Sequence, residues 1–387
     1  MRILHVTPAF PPSTGYGGGP AVVHQVCKRL VERGHEVTVF TTDANDAHSR
    51  LDAGRRVVDG VEVYYFKNLS NRLAYRFKVF LSPRMIQAMR RVAGEMDVIH
   101  VHDLRTLQSI VAHHFARKHG VPYVLQAHGV VPNKLGWLGR LKGLFDWLFG
   151  CRILRNAAGL IALNEREAND YVEMGASEER IAIMPNGVDL EQYALLPRRG
   201  LFREKYDLDG ERVVLFLGRV HESKGLDLLV QAFADVSQRL PDARLVIAGP
   251  DDGYMTALQK MTESLGLGPR VVFSGFLSGQ DKLAAFVDAD VFVTPRFTGF
   301  PLTFLEVMAC GVPIVTTDAG DHLEGIDGRA GRVTRFDRGQ YGDVLFEVLT
   351  DRRLRTQLAQ GAGEMVEHYD WDVVAGRMEA VYRRLLG

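Results

Sequence analysis

Short apolar runs of the length of a β-strand alternate with amphipathic helical segments along nearly the whole chain. The first series comprises ILHVT, EVTVFTT, VEVYYF, DVIHVH, PYVLQAHG and LIALN, with helical segments such as AVVHQVCKRLVERG among them. A second series follows residue 190 and comprises ERVVLFLGRV, ARLVIAGP, RVVFSGF, DVFVTP and VPIVTT. This alternation predicts an α/β protein with parallel sheets and right-handed crossover connections.

The two series predict two domains, because a chain of 387 residues exceeds what one hydrophobic core usually supports. The boundary is expected near PNGVDLEQYALLPRRG, where turn residues and prolines cluster. A second break is expected near residues 369–371, ahead of the last helical segment, WDVVAGRMEAVYRRLLG.

The composition narrows the classes of function. Lys plus Arg equals Asp plus Glu at 47 each, which argues against bulk nucleic-acid binding. The three cysteines, Cys27, Cys151 and Cys310, lie far apart, so neither a disulfide framework nor a zinc site is expected, and a reducing compartment fits. No apolar run reaches the length of a membrane span and MRILHVTPAF lacks the pattern of a signal peptide, so we expect a cytoplasmic protein.

The first candidate site is GRVHESKG, which follows the strand VVLFL. It places Arg219 and Lys224 just beyond the carboxyl end of a parallel strand, where ligands of open α/β sheets bind. Arginine offers a bidentate fork and lysine a compact charge, and together they suit a diphosphate. An ordinary solvated loop is the alternative, and the strand–loop–helix context favours the anion site.

The second candidate site is TPRFTGFPLTFLEVMACGVP, where a strand leads through a loop into a helix. Pro301 suits the first helical position, and the free N–H groups and the dipole at that helix start favour an anion. Glu306, about one turn further, has apolar neighbours, and its carboxylate suits two vicinal ribose hydroxyls. An exposed helix glutamate is the alternative.

The loop between the first strand and the first helix is rich in glycine, with Gly15, Gly17, Gly18 and Gly19. It allows a close approach of the backbone to a ligand, but it departs from the GxGxxG pattern of dinucleotide sites. A plain surface loop is the alternative.

Three histidines lie near strand ends in the first series. His128, in VLQAHG, is expected at the same edge of the sheet as the glycine-rich loop, which favours contact with a substrate. His100 and His102 lie in DVIHVHD, and His102 is expected to be mostly structural.

No metal site is predicted. The DxD strings at Asp207, Asp288 and Asp370 lack supporting ligands and a strand–loop context, so a bound divalent metal is not required. The motifs GxSxG and HExxH and a phosphate loop ending in Gly-Lys-Ser/Thr are absent from the sequence.

The stretch GWLGRLKGLFDWLFGCRILRNA, in residues 137–155, is basic, aromatic and apolar at helical spacing. One side would carry Trp137, Leu141, Leu144, Phe145, Leu148 and Phe149, and its flanks Arg140, Lys142, Arg152 and Arg155. Such a helix can lie on an anionic membrane surface, on the inner face for a cytoplasmic protein. A helix whose apolar side belongs to the core is the alternative.

Together these segments resemble the family 4 retaining glycosyltransferases of the GT-B fold (glycosyl transferases group 1) over nearly the whole chain. The resemblance rests on the glycine-rich loop, DVIHVHD, AHG, NEREANDYVEMG…IMPNGVD, GRVHESKG and GFPLTFLEVMACGVP, in that order. It implies two Rossmann-like domains facing a cleft, with the final helix crossing back to the first. The expected domains are residues 1–190 plus 371–387 on the acceptor side and residues 191–370 on the nucleotide-sugar donor side.

The resemblance implies transfer of a sugar from a nucleotide diphosphate-sugar to a saccharide or lipid-linked acceptor, with retention and without a metal or other cofactor. His128 would contact the transferred sugar, Arg219 and Lys224 would stabilise the leaving diphosphate, and no covalent nucleophile is identified. The implied donor-binding set is Gly18, Gly19, Arg219, Lys224, Phe276, Thr298, Gly299, Phe300, Pro301, Leu302 and Glu306. Within it, backbone N–H groups around Gly299, Phe300 and Leu302 would bind the diphosphate, Glu306 the ribose, and residues 271–276 the base.

One departure from the family concerns the donor sugar. The family has two glutamates separated by seven residues, and Thr298 stands where the first of them, which binds hydroxyls of the sugar, is expected. Arg296 stands where a small residue is common, and would reshape the pocket. Three classes stay open on the sequence: a glycosyltransferase, an epimerase or phosphorylase on the same scaffold, and a non-catalytic nucleotide-sugar binder.

Overall fold

The structure, a computed structural model, describes residues 1–13, 15–16, 18–129, 137–297, 300–321 and 323–387, with the backbone alone at residues 137 and 138. These residues form two compact units. Unit 1 comprises Met1–Asn186 and Trp371–Gly387, and unit 2 comprises Gly187–Asp370. The first division lies within the turn-rich segment PNGVDLEQYALLPRRG, and the second directly precedes the last helix.

Unit 1 is built on one sheet. Its strands are β1 (Arg2–Val6), β2 (Glu36–Thr42), β3 (Gly54–Val58), β4 (Val61–Phe66), β5 (Val98–His102), β6 (Tyr123–Gln126), β7 (Gly159–Ala162) and β8 (Ile181–Ile183). The order is β3-β4-β2-β1-β5-β6-β7-β8, and β3 is antiparallel to β4 while the other pairs are parallel. Strand order reverses between β1 and β5, which makes this pair the switch point of the sheet.

Helices cover the sheet of unit 1. They are α1 (Gly19–Glu32), α2 (Asn71–Phe77), α3 (Pro83–Val92), α4 (Leu107–His119), α5 (Trp137–Phe145), α6 (Cys151–Asn156), α7 (Glu165–Glu173) and α15 (Trp371–Leu386), with a π-helical turn at Asp146–Gly150. Local signals set their ends: the Thr106 hydroxyl caps α4 by accepting from the Ser109 N–H, and Gly120 ends it with φ +70°. Every residue of β5 is buried, as expected for a central parallel strand.

The last helix belongs to unit 1, although it follows unit 2 in the chain. It packs on α1, and just after α1 the guanidinium of Arg33 donates from Nη2 to the Asp372 carbonyl at 2.7 Å. Tyr382 is fully buried, and its hydroxyl lies 2.6 Å from Nδ1 of His100. The predicted return of the final helix to the first domain is confirmed.

Unit 2 is built on a second parallel sheet. Its strands are β9 (Arg212–Leu217), β10 (Ala243–Ala248), β11 (Val271–Gly275), β12 (Val291–Thr294), β13 (Ile314–Thr317) and β14 (Gly331–Thr334). Its helices are α8 (Leu201–Lys205), α9 (Leu226–Arg239), α10 (Met255–Ser264), α11 (Gly279–Asp288), α12 (Leu302–Ala309), α13 (Arg338–Thr350) and α14 (Arg352–Val366). The strand order β11-β10-β9-β12-β13-β14 places the switch point between β9 and β12.

The α/β class with two parallel-sheet domains is therefore confirmed. The sequence reading missed three short strands, β3, β8 and β14. The first forms a hairpin with β4 through Asp59 and Gly60, which both have positive φ, as a tight two-residue hairpin turn requires.

Candidate functional site

The loop that follows β9 is held by backbone hydrogen bonds to the neighbouring strand end. The Gly218 N–H donates to the Ala248 carbonyl and the Val220 N–H to the Pro250 carbonyl, both at 2.9 Å. The loop then makes one turn of 3₁₀ helix, Glu222–Lys224, and enters α9 through Gly225, whose φ is +68°. A Cβ at Gly225 would lie 2.9 Å from the Phe336 ring, so glycine fits this close approach. The position of Lys224 is thus fixed by the fold.

Lys224 is a buried cation. Its Nζ lies 4.2 Å from the centroid of the Phe297 ring, and among the described residues no carboxylate pairs with it. Burial lowers the pKa of the Lys224 ammonium, and the charge of Arg219 lowers it further. A bound anion would remove this cost, because a buried charge is stabilised by an opposite charge beside it.

Arg219 lies in the same loop and is more exposed. Its side chain is 62% exposed and forms an ion pair with Asp252 through Nη1. An exposed ion pair contributes at most about 1 kcal/mol, so a diphosphate can replace Asp252 as the partner of this guanidinium. The two predicted cations therefore lie in one loop, and their charges interact.

A cavity of about 160 Å³ lies at the switch point of the unit 2 sheet. It is lined by Phe216, Leu217, Gly218, Arg219, Lys224, Phe292, Thr294, Phe297, Thr303 and Phe304. It thus joins the predicted cationic loop to the first turn of α12, as an anion site at this edge requires. Thr303 was not singled out from the sequence, although its place in the first turn of the predicted helix was a signal.

The helix start differs in detail from the prediction. Pro301 is the residue before the helix rather than its first residue, and α12 begins at Leu302. The Leu302 N–H donates to the Phe300 carbonyl at 3.0 Å, so this amide already has an acceptor, and its contact with the diphosphate stays a prediction. Phe300 packs against the core beneath the helix. The predicted residues Thr298 and Gly299 lie outside the described residues.

Glu306 lies at a side-chain cluster rather than in the lining of the cavity. Its Oε1 is 2.8 Å from Nζ of Lys282, on α11, and both side chains are about one quarter exposed. Tyr193 also hydrogen-bonds Glu306, and burial, followed by the charge of Glu306, raises the pKa of the tyrosine. The contacts of Lys282 and Tyr193 with Glu306 were not predicted from the sequence, because both residues lie far from Glu306 along the chain.

Phe276 follows β11 and is 71% exposed. Strand β11 lies at the outer edge of the sheet, beside β10. An exposed aromatic ring after a strand end offers a flat surface to a nucleotide base.

The predicted residues of unit 1 are two glycines at the start of α1 and a histidine that follows β6. Gly18 precedes α1 and Gly19 is its first residue, and both are exposed. A Cβ at Gly19 would meet nothing within 4 Å, so the structure gives no steric reason for glycine there.

His128 follows β6 with φ +55°, an uncommon conformation for a residue with a side chain. Its ring is half-buried, and burial lowers its pKa to about 4. Its Nε2 lies 2.9 Å from Nδ1 of His102. A neutral imidazole in a strained backbone conformation at a strand end fits a functional residue.

Asp103 is a candidate that the sequence reading missed. It follows β5 with φ +67°, and burial raises the pKa of its carboxyl to about 7 although the charge of Lys78 opposes the shift. Glu167, from α7, accepts hydrogen bonds from the N–H groups of Gly129 and Leu163, and so supports the backbone after His128. The position of Asp103 at the end of DVIHVHD was a usable signal.

Residues 137–155 form a partly exposed apolar surface in unit 1. Leu141, Leu144, Trp147, Leu148 and Phe149 are between 40% and 77% exposed, with Trp147 the most exposed. A concavity of about 490 Å³ beside them is lined by Ile110, His113, His114, Arg117, Lys118, Leu148, Phe149, Arg152 and Ile153. The alternative of a core-facing helix therefore fails for these five side chains. Among the described helices, none combines the length and the apolar character that crossing a membrane requires.

One of the DxD strings has a structural role. Asp288 is fully buried and accepts hydrogen bonds from the N–H groups of Gly200, Phe202 and Arg203 at the start of α8. Asp290 pairs with Arg203 at 2.8 Å. These carboxylates are committed to the scaffold.

Both units match known families in sequence. Residues 16–192 match the family described as Glycosyltransferase Family 4, and residues 199–365 match the family described as Glycosyl transferases group 1. The D-inositol 3-phosphate glycosyltransferase of Frankia alni is 29% identical, and the alignment covers 99% of this chain and 98% of that protein.

Solved structures share the fold. Anabaena HepE in complex with UDP superposes with a TM-score of 0.76 at 19% identity, covering 99% of this chain and 100% of that one. Sucrose-phosphate synthase from Thermosynechococcus elongatus gives a TM-score of 0.77 at 21% identity, with 99% and 98% covered. The chain therefore belongs to the family 4 glycosyltransferases, with the GT-B fold, and is an enzyme of glycosyl transfer.

Proposed function

We propose that this glycosyltransferase takes its sugar from a nucleotide diphosphate-sugar whose diphosphate binds at Arg219 and Lys224. The observation that carries this proposal is the buried Lys224 ammonium, which faces an aromatic ring instead of a carboxylate beside a cavity at a sheet switch point. Negative charge develops on the diphosphate as the sugar–phosphate bond breaks. Cations fixed at that place stabilise the transition state more than the bound donor.

The donor is found by screening nucleotide diphosphate-sugars for thermal stabilisation of the protein. Because the HepE structures hold UDP, glucose or UDP-glucose, UDP-sugars are the first to test. A donor at a hundred times its Kd adds about 2.7 kcal/mol to the free energy of unfolding. Release of free nucleotide diphosphate together with a glycosylated acceptor supports the transferase. An isomerised donor, or donor binding without turnover in the presence of acceptors, would contradict the proposal.

The configuration at the anomeric carbon is retained in this proposal, and the acceptor enters on the side of the leaving group. The product is examined by NMR at the anomeric proton. An inverted product, or a glycosyl–enzyme adduct trapped in mass spectrometry, would overturn this route.

The transfer is proposed to need no resident metal ion, because Arg219 and Lys224 supply the positive charge that a metal would otherwise bring. Asp288 and Asp290 hold α8 and are not free to bind a donor-linked cation. We expect the rate of glycosyl transfer in excess EDTA to stay within about twofold of the rate without EDTA, which is on the order of assay error. A loss that Mg²⁺ or Mn²⁺ restores would contradict the proposal.

Glu306→Gln is expected to raise the donor KM about tenfold, because a charge-assisted hydrogen bond to the ribose is replaced by a neutral one. Lys282 holds the carboxylate in place by an ion pair at 2.8 Å. The decisive comparison uses the donor and its 2′-deoxyribose analogue with both proteins. The wild type should discriminate against the analogue about tenfold more strongly than the variant does.

Glu263→Gln is the matched control for this cycle, because Glu263 is an exposed glutamate of the same unit. It should leave both KM values unchanged. Equal discrimination by wild type and Glu306→Gln would remove Glu306 from the ribose site.

The apolar and basic surface of residues 137–155 is proposed to bind the inner face of an anionic membrane, which suits a lipid-linked acceptor. Exposed side chains of Leu144 and Trp147 would insert among the lipids, and Arg117, Lys118 and Arg152 would meet the headgroups. Arg105 supports this surface from below by a bidentate pair with Asp146, at 2.9 and 2.7 Å.

Leu144→Ser is expected to weaken binding to anionic vesicles about thirtyfold, since burying a leucine side chain contributes about 2 kcal/mol. Co-sedimentation with phosphatidylglycerol vesicles at low salt measures the effect. Leu195→Ser is the control, because Leu195 is 89% exposed but lies in unit 2. Absence of binding by the wild type at low salt would refute the membrane proposal.

A further inference from the structure

Four histidine rings form a row on unit 1. His5 of β1 and His100 of β5 are partners in neighbouring parallel strands, and His102 lies two residues on, on the same face of the sheet. His128 follows β6, the next strand. The centroids of neighbouring rings are 4.2 to 5.2 Å apart. The row lies at the switch point of the sheet, where a ligand is expected.

Three of the four rings are joined by hydrogen bonds. Nδ1 of His5 lies 2.9 Å from Nε2 of His102, and Nδ1 of His102 lies 2.9 Å from Nε2 of His128. Both nitrogens of His102 are therefore used by other histidines, which leaves none for a metal ion, although the ligand atoms of His5, His100 and His102 lie within 4.8 Å of one another. The arrangement is a hydrogen-bonded series of imidazoles that runs from a fully buried ring, His5, to a partly buried one, His128.

The three hydrogen-bonded rings are neutral near pH 7. Burial lowers the pKa of His5 to about 3 and of His128 to about 4, and it lowers the pKa of His102 well below its usual value. A neutral imidazole has one donor and one acceptor nitrogen. The three hydrogen-bonded imidazoles, His5, His102 and His128, therefore have two internally consistent proton arrangements, with three protons in each.

In the first arrangement, Nδ1–H of His5 donates to His102, Nδ1–H of His102 donates to His128, and His128 carries its proton on Nδ1. In the second, every proton is on Nε2 and the bonds run in the opposite direction. The second would leave an N–H donor at Nε2 of His5, which is buried without a partner. The first leaves only an unused in-plane lone pair on that nitrogen, and buried N–H groups without an acceptor are rarer than buried acceptors without a donor.

We propose that His5 and His102 are positioning residues that hold His128 in the tautomer with its proton on Nδ1, so that His128 offers an N–H donor to an oxygen of the bound substrate. Among the described residues, Nδ1 of His128 has no hydrogen-bond partner, and its ring is half-buried. A fixed donor loses no energy to tautomer exchange when the substrate binds. The inference rests on the proposed function and on the contact between His128 and the transferred sugar that the family resemblance implies.

Imidazole ¹H–¹⁵N correlation spectra of the full chain test the tautomer without any activity. The wild type should show His128 protonated at Nδ1, and protonation at Nε2 would overturn the proposal even if no variant folds. His5→Phe removes the donor at the head of the series and should give a mixture of both tautomers at His128. His5→Asn, whose amide can donate from the position of Nδ1, should restore the wild-type spectrum.

His100→Phe is the matched control, because His100 is equally buried in the same row but bonds Tyr382 and is outside the series. It should leave the His128 tautomer unchanged, and a change equal to that in His5→Phe would reduce the series to a packing effect. With a donor in hand, His5→Phe should lower kcat about tenfold at an unchanged donor KM. Absence of any turnover by the wild type would refute the proposed function. Normal turnover by the wild type, together with a His128 tautomer that His5→Phe leaves unchanged, would refute only this inference.

Discussion

Lys224→Ala is expected to lower the turnover of glycosyl transfer about a hundredfold or more, and Arg219→Ala to have an effect of the same order. Fixed donors directed at developing charge typically contribute about 3–4 kcal/mol each to the transition state. The Lys224 ammonium is already desolvated and needs little rearrangement when charge develops beside it. Turnover is measured at saturating donor, so that weaker binding alone does not count.

The matched control for these variants is Lys205→Ala. Lys205 is an exposed lysine of the same unit that pairs with Asp281 at 2.9 Å, so its loss changes the net charge equally. It should alter turnover less than about twofold, as an exposed ion pair predicts. Circular dichroism and the melting temperature establish that Lys224→Ala is folded. Normal turnover in both site variants would remove the diphosphate site from this loop.

The sequence predicted this part of the site because its signals are local. A buried strand, β9, ends at Leu217, shortly before Arg219, and the sign of the charges is visible in the sequence itself. The partners of these residues are not local: Asp252 and Phe297 reach the loop only through the order of the strands. The same reason explains why Lys282 was missed beside Glu306.

Predictions from the local sequence were wrong at two places, strand β3 and the start of α12. Strand β3 reads GRRVV and is mostly exposed, so it lacks the apolar run by which the other strands were predicted. Its signal was the Asp59-Gly60 turn instead. At α12, proline was expected as the first helical residue, but the helix begins one residue later because the ψ of Pro301, +77°, lies outside the helical range.

The histidine row could not be predicted from the sequence as a row. His100 and His102 share a strand, but their contact with His5 depends on the register of β1 against β5, which the sequence does not specify. His102 was expected to be mostly structural. The structure places it in direct contact with the candidate catalytic residue, His128, which the sequence did not indicate.

The free energy of unfolding of unit 1 is expected to fall as the pH drops below about 6, by up to about 1.4 kcal/mol per pH unit for each histidine of the row that stays unprotonated in the folded chain. In the unfolded chain the four histidines of the row titrate near pH 6.5, whereas in the folded chain their pKa values are depressed, to about 3 for His5 and about 4 for His128. The folded state therefore binds fewer protons, and stability present above pH 6.5 is lost as the pH falls. Asp103 opposes this change, because burial raises its pKa to about 7.

Urea unfolding followed by tryptophan fluorescence measures this effect, since all three tryptophans of the chain, Trp137, Trp147 and Trp371, belong to unit 1. His100→Phe should lower stability at pH 7.5, where Tyr382 loses its partner, but should reduce the loss between pH 6 and 5 by about 1.4 kcal/mol, the share of one proton. His48→Gln, at an exposed histidine of the same unit, should keep the full loss. If the wild type unfolds at the same urea concentration at pH 7.5 and 5, the row is not held neutral by burial, and the tautomer assigned to His128 falls with it.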